Sequence, residues 1–339
     1  MDHAETYTQS SLSAARACSM LYELRYNQRL TRDADDEREP LQVGHCWHRA
    51  HDVAAKGGNP YEAIANHAPS LLWSIKLSRM FAAYGWYWRD QALQIVESET
   101  TFRIEHRAGR IFEGQCDGVL KTPDGRGGIV ERKTTSESLD ADSHYWSKLR
   151  LDVQVGLYGL FALARTLTSS STMPNSPNFI LYDVARKPTI GPRAITKVDA
   201  RRMRMELDAR GRATYYGEKF DASVVGDALD VGKENEFLFG ARLTADIGDR
   251  PDHYFARREV PRTKRDYEAL VIDLDRQVEM IEYAESRNLW HHNPDACHSK
   301  DRGTCEFFSL CARNAQPHRG SAAPEGFRVR EHTHPELRH

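Results

Sequence analysis

The stretch GQCDGVLKTPDGRGGIVERKTT, residues 114–135, constrains the fold of this 339-residue chain more than any other. Two strand-like runs flank a Pro-Asp-Gly turn signal centred near Asp124, which specifies a β-hairpin. That turn sets Asp117 opposite Glu131, and directly opposed residues have Cβ atoms about 4.5–5.5 Å apart. Two like charges so close are unfavourable unless a cation joins them. Alternation along the second strand puts Lys133 on the face of Glu131 and turns Arg132 away. Two acids and a lysine therefore converge. Alone, the pattern suits a divalent-cation site, and it equally suits a solvated strand face with an internal ion pair.

The surrounding sequence predicts a mixed α/β fold. Apolar residues recur at helical spacing from Thr8 to Asn27, from Gly44 to Ala55, from about Leu71 through LLWSIKLSRMFAAYGWYW, and from about Thr263 to Asn288;. LQIVESETTFRI near Leu93 and NFILYDVARK around Ile180 read as strands, and SHYWSKLRLDVQVGLYGLFALARTL between hairpin and second strand makes a βαβ arrangement;. Residues 199–252 are polar and are expected to be an irregular insertion. The tail at 312–339, rich in Pro, Arg and His, is expected to be disordered. Hydrophobic residues at 40% and charged residues at 28% make a globular chain, and no apolar run reaches the roughly 18 residues of a membrane span;. The N-terminus lacks the basic start and apolar stretch of a secretory signal, so a cytoplasmic location is expected. A net charge of −2 leaves nucleic-acid binding open, because a local basic patch would suffice;. ARRMRMELDARGR and FARREVPRTKR offer such patches, or merely solvated faces.

Two further elements accompany the hairpin. GHCWH spans Gly44 to His48 upstream, and QVGLY places Gln154 and Tyr158 one helical turn apart downstream;. In this order the chain resembles the PD-(D/E)XK nuclease superfamily, in particular its RecB-like branch, and YDVARKP and HYFARREVPRT extend the likeness to Cys311. Cys116 stands before the strand aspartate, where the family pattern has proline. The resemblance implies a restriction-endonuclease-like α/β core, a central mixed β-sheet flanked by helices, with helical additions and a cysteine-rich C-terminal segment. It implies one domain over residues 1–311. It also implies that Asp117, Glu131, His48 and the Arg132 backbone carbonyl hold Mg²⁺ or Mn²⁺, hard ions that favour oxygen donors. Lys133 would then orient a water or stabilise developing charge, and Gln154 and Tyr158 would position Lys133 or the DNA backbone; Tyr158 is otherwise a core residue. Of the three histidines spaced by three, His48 is the expected ligand, while His45 and His51 belong to a polar face.

Six cysteines suggest metal binding or simple packing rather than disulfides in a reducing compartment;. CHSKDRGTCEFFSLC groups Cys297, Cys305 and Cys311. Resemblance to iron–sulfur members of the branch, the AddB nuclease domain and CRISPR-associated RecB-like exonucleases, supplies Cys18 as fourth ligand. Four thiolates suit a 4Fe-4S cluster, with zinc as the alternative. Cys46 and Cys116 are expected to be small core residues. The expected activity is metal-dependent DNA hydrolysis, an exonuclease in recombination, repair or phage DNA processing. A helicase would have to be a partner, since no G-x-x-x-x-G-K-[ST] occurs;. The alternatives are a catalytically silent DNA-binding scaffold and a zinc-stabilised interaction module.

Overall fold

A computed structural model describes residues 5–33, 39–122, 124–168, 177–299 and 303–337. Pro123 of the hairpin turn and residues 300–302 of the cysteine-rich segment lie outside them. The chain enters through strand β1 (Thr6–Thr8) and helix α1 (Gln9–Ala17), which Thr8 caps by accepting the Ser11 N–H at 3.1 Å;. The single helix expected to Asn27 does not form. The backbone becomes extended at Cys18 and resumes as α2 (Ser19–Tyr22), followed by a π turn over Glu23–Asn27. The break has a physical cause: the Met20 N–H donates to the His291 carbonyl at 3.1 Å, so a distant segment replaces a rung of the helical ladder;.

After the short strand β2 (Leu30–Arg32) come α3 (Glu39–Ala55), α4 (Pro60–His67) and α5 (Leu71–Tyr87). Helix α4 was not evident from apolar spacing; an Asn59 cap followed by Pro60 starts it;. The meander β3 (Gln94–Glu105), β4 (Ile111–Lys121) and β5 (Gly127–Thr135) leads through α6 (His144–Ser147) and α7 (Val153–Thr168) to β6 (Pro177–Arg186). β5 and β6 pair in parallel, which makes β5–α7–β6 the expected βαβ unit;.

The segment expected to be irregular is ordered. It contains α8 (Lys197–Arg210), the hairpin β7 (Arg212–Tyr215) and β8 (Glu218–Asp221), α9 (Ala222–Val231) and α10 (Glu236–Asp249). Met203, Tyr215, Val225 and Leu238 belong to its own small core. Polarity concealed it, because α8 fully buries Met203 alone, so the helical repeat is missing. Its ends are set by local chemistry instead, a Thr196 cap and Gly211 at φ 67°;. The chain then passes α11 (Pro251–Tyr254), β9 (Phe255–Glu259) and α12 (Lys264–Arg287).

The central sheet has the order β1-β4-β5-β6-β9, with β3 on the other edge of β4. Adjacent residues Val184 and Ala185 of β6 enter two different cores, one with α1, α7 and α12, the other with α3, α5 and α10. The sheet is thus sandwiched between helices, as the mixed α/β expectation requires. No helix among the described residues is long and apolar enough to cross a membrane.

The register creates an opening. β1 pairs with Ile111 to Glu113, and β5 pairs with Gly118 to Lys121 on the same edge of β4. Residues 114–117 of β4 therefore lack a strand neighbour on that edge, while β3 runs along the whole opposite one. Asp117 sits at the end of this gap.

The tail also departs from expectation. Phe327–Val329 pairs antiparallel with β2, Phe327 stacks on Phe307 with centroids 5.7 Å apart, and Arg319 donates to the buried Glu23 carboxylate at 2.6 and 2.8 Å. His334 contacts the Thr6 carbonyl at 3.1 Å, and the Thr8 hydroxyl donates to Glu336. Order through residue 337 comes from polar pairing with the N-terminal segment, which composition alone does not register.

Candidate active site

The hairpin has the register its turn signal predicts. Gly118 faces Val130 and Val119 faces Ile129, so Asp117 and Glu131 follow as the next opposed pair. There the ladder stops, and the Asp117 side chain replaces it, Oδ2 accepting the Arg132 N–H at 2.5 Å. Its other oxygen, Oδ1, lies 2.9 Å from Nδ1 of His48 on α3. Lys133 Nζ pairs with Glu131 and donates to Gln154 Oε1 at 3.2 Å. Gln154 Nε2 donates to the Tyr158 hydroxyl at 2.7 Å, which donates in turn to the Gln115 carbonyl at 3.0 Å. That carbonyl lies in the gap of β4, so Tyr158 fills the hydrogen-bonding place of a missing strand.

The expected side chains thus fall into two contact sets on the hairpin, His48 with Asp117, and Glu131 with Lys133, Gln154 and Tyr158. Arg132 contributes its backbone, while its side chain is turned toward Asp183 and His51 on the opposite sheet face. Asp117, Gln154 and Tyr158 line a cavity of about 160 Å³ together with Thr8, Glu99 and Glu336. The C-terminal segment therefore borders the cavity mouth.

Glu99 was not anticipated. It lies on β3 between Ser98 and Thr100, which pair with Gly118 and Cys116, so it flanks Asp117 from the other strand edge. Its φ of 52° is left-handed, a conformation that costs a side-chain-bearing residue on the order of 1–2 kcal/mol;. One donor atom each of His48, Glu99 and Asp117 lies within 4.8 Å of the others. Glu131 falls outside that triad, and its buried Oε2 meets no hydrogen-bond donor among the described residues. A carboxylate buried without a donor is unfavourable unless a proton or a cation compensates it. The donor set therefore fits a divalent cation.

The electrostatics agree with crowded acids. Burial opposes ionising Asp117, yet the charges of His48 and Lys133 and the Arg132 N–H outweigh it and hold its pKa below the usual carboxylate range. Burial, reinforced by Asp117, pushes Glu131 up against the pull of Lys133. Burial and then Asp117 push Glu99 up to about 7. His48 is raised because Asp117 outweighs the cost of its burial;.

Two expectations need correction. His51 is buried rather than on a polar face, in edge contact with Trp47 and Tyr84 at centroid distances of 4.9 and 4.8 Å, and burial holds its pKa well below the ordinary value. The basic stretch on β9 is occupied by structural contacts. Arg257 pairs with buried Asp183 at 3.3 Å and stacks on Trp88, Arg258 stacks on Trp146, and Arg262 donates to the Leu149 and Asp152 carbonyls. In α8, Arg202 pairs with Asp199 and Arg204 donates to the Leu229 carbonyl.

Cys46 and Cys116 are buried core residues. The other four thiols are free and come from both ends of the chain, and among the described residues no three of their sulfurs lie mutually within 4.8 Å. Cys18 stands at the helix break and Cys305 donates its N–H to the Cys297 carbonyl at 2.8 Å. Burial, and beyond it the charges of Cys305, Cys18 and Cys297, push the Cys311 thiol up.

A family model of the PD-(D/E)XK nuclease superfamily matches residues 6–312, and the chain belongs to that superfamily. Its members generally use divalent metals. Among solved structures, the chain is similar to a "Putative exonuclease" from Eubacterium rectale, at 12% identity and a TM-score of 0.47, over 94% of this chain and 91% of that one. No curated protein matches it.

Proposed function

We propose that this protein is a cation-dependent deoxyribonuclease that hydrolyses phosphodiester bonds at DNA ends or in single strands, an exonuclease of recombination, repair or phage DNA processing. The observation that carries this reading is a pair of contact sets, His48 with Asp117 and the Arg132 N–H, and Glu131 with Lys133, Gln154 and Tyr158, joined by the opposed hairpin strands in a member of a nuclease superfamily. His48, Asp117, Glu131 and the Arg132 backbone carbonyl would hold Mg²⁺ or Mn²⁺. Such an ion supplies Lewis acidity, making water a better nucleophile at neutral pH and drawing charge from the phosphodiester. Lys133 is oriented by Gln154 and Glu131, so its ammonium is available to stabilise charge growing on the phosphate oxygens;. Tyr158 fixes Gln154 and, through it, the position of that ammonium. Any unwinding of duplex DNA would be the task of a helicase partner.

The test is degradation of end-labelled single- and double-stranded DNA with Mg²⁺ or Mn²⁺, comparing wild type with Asp117→Asn. Asn keeps the shape but removes the charge, and activity is expected to fall to background. Undiminished cleavage by the variant would refute the site.

The nuclease domain is proposed to span residues 1–311, its ends joined by a centre on Cys18, Cys297, Cys305 and Cys311. Four free thiols from both ends of the chain, three of whose charges act on Cys311 behind its burial, support a cation centre of this kind. A 4Fe-4S cluster is the preferred occupant and zinc the second. Protein purified without air is expected to contain about four iron atoms per chain and absorb visible light. Cys18→Ser is expected to lose iron and unfold at lower temperature. Colourless protein with stoichiometric zinc would overturn the cluster.

A further inference from the structure

Glu99 belongs to none of the motif positions, yet it stands where a ligand would. Asp117 is flanked across β4 by two acids, Glu131 from β5 and Glu99 from β3. The Asp117 oxygens divide between these sides, Oδ2 accepting from β5 and Oδ1 meeting His48. On the His48 side, an imidazole nitrogen and two carboxylate oxygens from three separate elements lie within 4.8 Å of one another. Gln115 Nε2 donates to Glu99 Oε2 at 2.6 Å, which orients the carboxylate. A partner group holding a ligand at a fixed angle is the usual arrangement around bound cations.

An acid cluster alone would not define a site. Here a second observation points the same way: Glu131, 2% exposed, presents a buried Oε2 without a donor beside Asp117. Lys133 meets only the other oxygen of that carboxylate. One oxygen of that carboxylate is therefore left without a hydrogen-bond donor among the described residues, and Glu99 brings a further carboxylate from the β3 side.

We propose that Glu99 is a direct divalent-cation ligand, forming with His48 and Asp117 a three-donor position that the hairpin motif does not encode. One nitrogen and two carboxylate oxygens suit Mn²⁺, which accepts both donor types. This inference rests on the cation-dependent reading above and adds a ligand to it.

The experiment titrates the full chain with Mn²⁺ alone, reading bound ion by electron paramagnetic resonance and by calorimetry. Glu99→Gln is expected to weaken Mn²⁺ binding by about tenfold or more. Glu105→Gln, an equal charge change at an exposed β3 position, is expected to stay within about twofold of wild type;. Should Glu99→Gln unfold, Glu99→Asn gives the same readout, since Asn tolerates the left-handed backbone. Unchanged affinity in the Glu99 variants, with binding lost in Asp117→Asn, overturns the role of Glu99 and leaves the nuclease site standing. Wild type that binds no Mn²⁺, or Asp117→Asn that binds it as wild type does, overturns both readings.

Discussion

Lys133→Ala is expected to lower the rate of DNA hydrolysis by about 10²–10³-fold while leaving the fold intact, the range found when one preorganised donor to a developing oxyanion is removed. Lys133 is part-exposed toward the site, and its ammonium is tied at one side to Glu131 and at the other to Gln154 at 3.2 Å. Burial would lower its pKa, but Glu131 and Asp117 outweigh burial and raise it, so the side chain is charged at every pH where the protein would work;. Its removal takes a fixed positive charge from a site otherwise dominated by acids. It also leaves Glu131, 2% exposed, without its one ionic partner. That carboxyl then retains its proton to a higher pH, so cation affinity should fall along with rate. The two effects separate kinetically: saturating Mn²⁺ restores the cation but cannot restore the ammonium. A variant that recovers wild-type turnover at saturating Mn²⁺ would show that Lys133 acts only as a counter-charge.

The hairpin register was legible because a turn of known chemistry fixes which residues face each other, and β4–β5 pairing obeys it;. His48, Gln154 and Tyr158 were singled out by the family resemblance, which places them at its Gly-x-x-x-His and Gln-x-x-x-Tyr positions, and not by their spacing alone. Glu99 was not, because nothing in ESET distinguishes it from Glu97. Its place depends on the β3–β4 register, on the bulge between Ile95 and Glu97, and on a left-handed backbone. His51 misled for a similar reason. Three residues from His48 it shares a polar-looking helix face, but Phe81 and Tyr84 on α5 close over it together with Trp47 of its own helix. The tail was missed because ion pairs and a short strand order it, which hydrophobic periodicity does not detect; in the 199–252 segment the polar helix α8 hid a small core whose apolar repeat lies in α9 and α10;.

Cation binding is expected to strengthen with pH up to about 7 and then level off. Glu99 has its pKa pushed up to about 7 and Glu131 is raised as well, in both cases by burial first. Without a cation these acids keep protons that an ordinary glutamate gives up near pH 4.3. His48 is also raised, so it too carries a proton it must release before its nitrogen can bind an ion;. Each proton displaced makes the apparent affinity rise by about tenfold per pH unit below the relevant pKa. Three such groups make the dependence steep between about pH 5 and pH 7. Stability of the cation-free protein should run the other way for the two glutamates. In that window the unfolded chain binds fewer protons than the folded one, so stability falls as pH rises. Added Mn²⁺ should therefore raise the melting temperature most at and above neutral pH. Calorimetry in two buffers of different ionisation enthalpy counts the protons released per ion. Binding that is flat from pH 5 to pH 8 with no proton release would mean that these acids are not cation ligands, and the buried Oε2 of Glu131 would then have to be compensated by its own proton.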